Sequence, residues 1–408
     1  MEKLLTLGSH YVSDFIRDGD LENRKKYSLD VYLDRDLGAA RLCHDDLAPP
    51  DSMWGQYWYR SGINTSMTRE LESIVREITN RVQLKDNDIW LDIACNDGTL
   101  LKFVPDHVNK VGIDPCDDSY YKESSQVAHV VQDYFNYNSW LKSGYGDRRA
   151  RVITCIAMFY DLDDPNPFVA DLYKVLDDDG VCVLQMSYTP LMIRQLAFDN
   201  ICHEHVYYYD LTSIKTLFER HNFRVVDCSL NDTNGGSFRI YLQKQSAGAN
   251  TFASAPLRDV CAVRVKSILE YERWICNIRD PQVWQDFGAR LELLKQQVVD
   301  KVLTAVNQGQ TVYGYGASTK GNTLLQYFGL DHTVITAIAE RSPYKYGLKT
   351  IGSMIPIISE ADMRSANPGY LLILPWHFID EFEKREQDYI QAGGQLIVPC
   401  PVYKVISK

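Results

Sequence analysis

Asp88-Ile-Trp-Leu-Asp-Ile-Ala-Cys-Asn-Asp-Gly-Thr99 is the stretch on which the reading of the chain turns. Its first seven residues, through Ala94, form a nearly continuous apolar run, as a strand buried on both faces requires. Cys95 to Thr99 make a glycine-bearing turn, and Leu100, Leu101 and Phe103 open a helix. The same pattern repeats downstream. Lys110–Asp114, His129–Asp133, Arg151–Ala157 and Val181–Met186 read as further strands. Between the last two, Asp161, Asp163, Asp164 and Pro165 lead into a helix through Phe168, Leu172 and Val175. Upstream, Leu71, Ile74, Val75, Ile78 and Val82 keep helical spacing behind a cap at Thr65 or Ser66. Strand, turn and helix in alternation predict an open, mostly parallel α/β sheet, whose ligands sit beyond the carboxyl ends of the strands.

Those ends carry acids. Asp92, Asp114 and Asp133 fall at the first three tips, where one carboxylate can accept from ribose hydroxyls and another can lie near an adenine amino group. Each alone reads equally as a loop residue or a helix cap; their order favours a nucleoside. The first turn lacks Gly-x-Gly-x-x-Gly and bears acids, which a cationic sulfonium tolerates and a pyrophosphate does not. An S-adenosylmethionine pocket is therefore expected over a dinucleotide pocket.

Cys202-His203-Glu204-His205, followed by Val206-Tyr207-Tyr208-Tyr209, concentrates proton-transfer groups as no other part of the chain does. A histidine whose tautomer is held by a neighbour is a natural general base near neutral pH. Two surface histidines, or a His-x-His metal site, are the other readings. The metal reading ranks lower because no third ligand is evident nearby.

Beyond this motif, Thr212–His221 reads as a helix, and Arg224–Ser229 with Ser237–Leu242 as an antiparallel pair around Asn234-Gly-Gly-Ser237. Residues 246–255 are linker-like, and Arg258 to about Val306 is helical. A second α/β unit starts at Thr311-Val-Tyr-Gly-Tyr-Gly-Ala-Ser-Thr-Lys-Gly-Asn-Thr323, where Ser318, Thr319, Lys320 and Asn322 at a helix start suit an anion, or else form a structural turn. The spacing is not that of a Walker loop. Val334–Ala339, Leu371–Leu374 and Gln395–Val398 supply further strands, with Trp376 and His377 in a connection. Residues 1–66 show little periodicity before Tyr27–Leu33, and the aromatic run Trp54–Asn64 is either a lid or a packed turn.

Composition narrows the classes. The 408 residues, 45% hydrophobic and 24% charged, suffice for two or three globular domains. A net charge of −11 argues against nucleic acid or an anionic membrane as partner. No apolar run is long enough to span a bilayer, no signal-peptide pattern opens the chain, and a cytosolic protein is expected. Ten scattered cysteines without a C-x-x-C pair read as reduced thiols.

Taken together, Asp92-Ile-Ala-Cys-Asn-Asp-Gly-Thr-Leu-Leu101, the Cys202–Tyr209 motif, Asn234-Gly-Gly-Ser-Phe-Arg239, Gly314-Tyr-Gly-Ala-Ser-Thr-Lys320, and Pro375-Trp-His-Phe378 with Gly393-Gly394 resemble the sugar C-methyltransferases. These enzymes move a methyl group from S-adenosylmethionine to a ring carbon of a nucleotide-linked keto-deoxysugar. The resemblance implies a small N-terminal domain over residues 1–66, a central class I methyltransferase Rossmann-like domain over 67–245, and a helical linker with a second Rossmann-like domain over 246–408. It further implies a cofactor site from Tyr59, Ser61, Asp92, Ala94, Asn96, Asp97, Asp114, Pro115, Asp133, Tyr134, Ala157 and Met158. The small-molecule nucleotide sugar would meet Cys202, Asn234, Tyr315, Ser318, Lys320, Asn322, Trp376 and His377.

The chain departs from the family in three places. The family's N-terminal zinc site needs four cysteines, but only Cys43 precedes residue 90, and Asp34 and Leu37 stand where a pair belongs, so no structural zinc is expected. Cys202 replaces a tyrosine, and Ala94 replaces a glycine.

Carbon methylation needs a base and a stabilised enolate. The expected roles are His205 as base, Glu204 to orient or return the proton, and His203, Tyr57 or Tyr59 to bond the enolate oxygen. An O- or N-methyltransferase, or a non-catalytic cofactor-binding protein, is the alternative.

Overall fold

The computed structural model describes residues 2–49, 53, 58–248 and 252–408. Its central sheet has seven strands, in the spatial order Phe223–Asn231, Ser237–Lys244, Leu176–Ser187, Ala150–Ile156, Ile89–Ile93, Asn109–Ile113 and His129–Val131. The last five run parallel, while Ser237–Lys244 is antiparallel to both neighbours. Every residue of Ile89–Ile93 is buried, which is why the strand reads as a continuous apolar run. The chain moves outward from this strand to one edge and then returns to its other side at Ala150–Ile156. The crevice therefore opens where these two strands end, at Ala94 and Ala157.

A second sheet of six strands runs Ile357–Ser359, Ile338–Glu340, Val312–Tyr315, Tyr370–Ile373, Gln395–Val398 and Lys404–Ile406, parallel except for the last. Its order reverses between Val312–Tyr315 and Tyr370–Ile373, so its own crevice is walled by Gly316 to Lys320 and Pro375 to Phe378. Gly316 has φ +86, and a Cβ there would come within 2.6 Å of Pro375, so only glycine lets these two walls close.

The third sheet joins parts distant in sequence. Glu2–Tyr11, Lys26–Asp34 and Ala39–Leu42 form antiparallel strands, and the fourth is Tyr207–Tyr208, directly after the His-Glu-His motif. Phe15–Ile16 pairs with Lys349–Thr350 of the C-terminal unit. The N-terminal sheet thus grips the motif from one side and the C-terminal unit from the other. Where a metal pair would close the hairpin after Asp34, Asp34 Oδ1 accepts from the backbone N–H of Asp36 at 2.8 Å and of Leu37 at 3.2 Å, and the Leu37 side chain is buried.

Four sequence expectations change. Glu2–Tyr11 is a strand despite its weak periodicity, because irregular register at Lys3/Leu5 and Thr6/Ser9 breaks the alternation. The helix expected at Leu100 is only the 3-10 turn Leu101–Phe103, cut short before Pro105. The helix Thr65–Thr79 is capped by Asn64, whose side chain accepts from Ser66 N–H. The strand expected from Val334 begins at Ile338. The helical region after the linker is two helices, Ala255–Trp274 and Pro281–Asn307. All ten cysteines are free, and among the described residues no helix is long and apolar enough to cross a membrane.

Candidate active site

At the end of Ile89–Ile93 the backbone enters left-handed space at Ala94 (φ +59), Asn96 (φ +52) and Gly98 (φ +75), and Ala157 (φ +55) does the same at the neighbouring strand end. Strain of this kind in non-glycine residues persists only where surrounding structure enforces it. Here the enforcer is Asp114. Its Oδ2 accepts from Asn96 N–H at 2.7 Å and its Oδ1 from Cys116 N–H at 2.8 Å. The turn is covered by the segment after Trp58: Asn96 Oδ1 accepts from Ser61 N–H, Asp97 Oδ2 from Gly62 N–H at 2.8 Å, and Asn96 Nδ2 donates to the Tyr59 carbonyl. Arg60 lies over the Tyr120 ring at 4.0 Å and pairs with Glu123.

This donor set fits an adenosine bearing a positive charge. Asp92, Asp97 and Asp114 are buried acids around the turn, each Asp114 oxygen keeps a lone pair for a ribose hydroxyl, and Ala157 and Met158 leave an open edge. Asp92 is hydrogen-bonded by Thr154 Oγ1 at 2.6 Å, and burial, with Asp114 beside it, lifts its carboxyl to about 7. Asp133 sits farther out, bonded to Lys142 at 2.6 Å, and Tyr134 and Pro115 are exposed.

The second half of the site is built on Asn200, which sequence reading missed. Its backbone carbonyl accepts from His205 Nδ1 at 2.8 Å. That bond places the proton on Nδ1 and leaves Nε2 with its lone pair. The Asn200 side-chain oxygen accepts from Lys320 Nζ at 2.7 Å and from Ser187 Oγ at 2.9 Å. One residue therefore holds the imidazole of the central unit and the ammonium of the C-terminal unit. Next to it, Asp199 Oδ2 accepts from Trp376 Nε1 at 3.1 Å, and Gly235, at φ +84, admits the Trp376 ring where a Cβ would stand 2.9 Å from it. Two buried polar residues in the otherwise apolar run Ala197–Ile201 were the available signal.

His205 lies against the Tyr160 ring at 4.1 Å, and burial, then the Lys320 charge, push its imidazole down to about 3. Glu204, beside the Cys202 thiol, is raised by burial, as is Asp161, which Glu204 raises further. The carboxyl atoms Glu204 Oε2 and Asp161 Oδ1 are buried without a hydrogen-bond partner among the described residues.

Other expected residues lie elsewhere. His203 turns to the N-terminal sheet, its Nε2 3.2 Å from the Tyr27 carbonyl, and is not gathered with His205. The Tyr315 hydroxyl points into an ionic cluster, bonded to Glu386 at 2.7 Å and Glu360 at 2.9 Å. Ser318 caps its helix through Gly321 N–H, and Asn322 Nδ2 donates to the Asp14 carbonyl. His377 packs on Phe378, 4.2 Å between centroids. Tyr57 is outside the described residues.

His203 carries a stability prediction. Burial holds both His203 and the adjacent His10 at about 4, below the ordinary 6.5. The unfolded chain then binds more protons between pH 6.5 and 4, so each histidine costs stability as pH falls, by up to about 1.4 kcal/mol per pH unit. Tm measured across this window is expected to fall less steeply in His203→Gln than in the parent chain.

Known methyltransferases are similar to the chain along most of its length. A model described as a methyltransferase domain matches residues 64–227, and one described as a C-methyltransferase C-terminal domain matches residues 232–401. The C-methyltransferase NovU of Streptomyces niveus is 28% identical over 96% of this chain and 90% of its own. Among solved structures, an S-adenosylmethionine-dependent methyltransferase from Clostridium acetobutylicum aligns with 44% of this chain and 92% of its own at 13% identity and TM-score 0.34. The N-methyltransferase NodS of Bradyrhizobium japonicum aligns with 44% of this chain and 98% of its own at 12% identity and TM-score 0.32. A relative matched along nearly the whole chain, and both family models in tandem on an acid-tipped sheet and a second crevice, support an S-adenosylmethionine-dependent C-methyltransferase.

Proposed function

We propose that the chain methylates a carbon next to the carbonyl of a nucleotide-linked keto-deoxysugar, as a cytoplasmic enzyme of deoxysugar biosynthesis, with His205 as the base. The observation that carries this is the Nδ1-protonated His205 at the junction of the two crevices. A hydrogen on such a carbon must leave before the carbon can act as nucleophile, and a neutral imidazole with a free Nε2 is the group able to take it.

S-adenosylmethionine supplies an electrophilic methyl group on a sulfonium. The chain's own residues do the rest. Asp114, Asn96 and Asp97 hold the nucleoside end, with Tyr59 and Ser61 covering it and Ala157 and Met158 at its rim. Glu204, whose carboxyl burial pushes above its ordinary range, orients the acceptor or returns a proton. The start of the helix Thr319–Phe328 offers the positive end of its dipole to the nucleotide's phosphates. Cys202, Asn234 and Trp376 border the sugar.

Incubation with a panel of nucleotide-linked keto-deoxysugars in deuterated water tests the reading. The expected result is uptake of deuterium at the carbon beside the carbonyl, and a product carrying the new methyl on that carbon. Methyl transfer to oxygen or nitrogen without exchange would sink it.

A further inference from the structure

We propose that Lys320, contributed by the C-terminal unit, is the group that stabilises the enolate oxygen, so that the two halves of the chain together form one catalytic centre. The inference rests on the base assignment to His205.

Lys320 sits at the second position of the helix Thr319–Phe328, yet its ammonium leaves that helix and crosses to the central unit. There it makes one strong bond, 2.7 Å to Asn200 Oδ1, and a long approach of 3.5 Å to the Asn234 carbonyl. An ammonium has three donors, so at least one is free for a ligand. The residue is half-buried, as are Ser187, Glu204, Asn234 and His377. Its charge acts directly on His205, and the same Asn200 that holds Nζ holds His205 Nδ1. Base and ammonium are thus fixed relative to each other through a single residue, whose side chain is buried.

Chemistry explains the pairing. As the C–H bond breaks, the proton passes to His205 Nε2, the C–H pair forms the C=C bond and the carbonyl π pair moves onto oxygen; as the carbonyl re-forms, the carbon would take the methyl group, whose bond to the sulfonium sulfur breaks and leaves its pair on S-adenosylhomocysteine. The negative charge lives on oxygen only between these events. A preorganised cation aimed at that oxygen stabilises it without reorganisation cost. Of the donors expected from sequence, His203 does not supply this: it faces the N-terminal sheet, bonded at the Tyr27 carbonyl.

The experiment compares the full-length parent with Lys320→Met, Lys320→Arg and His205→Ala. Deuterium exchange at the acceptor carbon and methyl transfer are both measured with a nucleotide-linked keto-deoxysugar. S-adenosylhomocysteine binding and circular dichroism monitor folding. Lys320→Met is expected to slow exchange and lower kcat together by roughly 10²–10³-fold, the loss typical of one oxyanion donor. KM should move far less, and Lys320→Arg should recover part of the rate. A raised KM with unchanged kcat would make Lys320 a phosphate-binding residue and overturn the assignment. Exchange that survives at the parent rate in His205→Ala would instead overturn the base reading, and loss in Lys320→Met alone would make the lysine the base.

Discussion

Asp227→Ala is expected to lose about 3–5 kcal/mol of stability, the cost of breaking a buried ion pair by removing one partner. Asp227, in the strand Phe223–Asn231, is fully buried. Its Oδ2 accepts from Arg81 at 2.5 Å, and Arg264 grips both oxygens, with Nε at 3.0 Å from Oδ1. Arg81 follows the helix Thr65–Thr79 and Arg264 lies in Ala255–Trp274, so one carboxylate ties two helices to the sheet edge. Arg81 also packs on the Tyr241 ring at 4.5 Å and bonds to Glu77. Despite the burial that opposes it, the two guanidinium groups hold the Asp227 carboxyl below its ordinary range. Its contribution is therefore present above about pH 4 and is lost as pH falls through the lowered value. Urea denaturation of Asp227→Ala and Asp227→Asn checks both points: both midpoints should drop at neutral pH, and the gap to the parent should narrow in acid. A change below 1 kcal/mol would show that the arginines find solvent or Glu77 at no loss.

Legibility in the sequence followed burial. Strands covered on both faces, such as Ile89–Ile93 and Gln395–Val398, stood out because nearly every residue had to be apolar. The strand Glu2–Tyr11 was hidden because its irregular register spoils the period of two by which a half-buried strand is recognised. Tyr207–Tyr208 could not be placed either: its partner strand, Ala39–Leu42, lies far away in sequence, and two residues carry no period.

Site residues follow a different rule. Asp114 was readable since a strand end fixes where its side chain goes. Tyr315 also ends a strand, but the residues that capture its hydroxyl, Glu360 and Glu386, come from later helical segments that no local pattern connects to it. Likewise His203 and His205 look equivalent in the motif. What separates them is which carbonyl each meets, Tyr27 or Asn200, and that is decided by packing of the N-terminal sheet on one side and the Phe198–Asn200 turn on the other.

His205→Ala is expected to lower kcat for methyl transfer by roughly 10²–10⁴-fold, the range for a positioned general base, with S-adenosylhomocysteine affinity unchanged. The low basicity of this histidine in the free protein looks like an objection, since a group held at about 3 is a weak proton acceptor. The causes of that value answer it. Burial and the Lys320 charge both penalise the imidazolium, and both are altered when an anion forms beside them. One negative charge about 4 Å away contributes ~4 kcal/mol at an effective dielectric constant of about 20. That is about three pKa units in favour of the proton on the ring at the moment it moves. Until then the ring stays neutral at pH 7, its Nε2 lone pair always available, and Nδ1 keeps it oriented on Asn200. The rate should accordingly show no loss from protonation of free His205 as pH falls from 7 to 5. A sharp decline in kcat/KM centred near the ordinary histidine value of 6.5, present in the parent and absent from a His205 variant, would mean that the free ring titrates normally and that burial does not govern it.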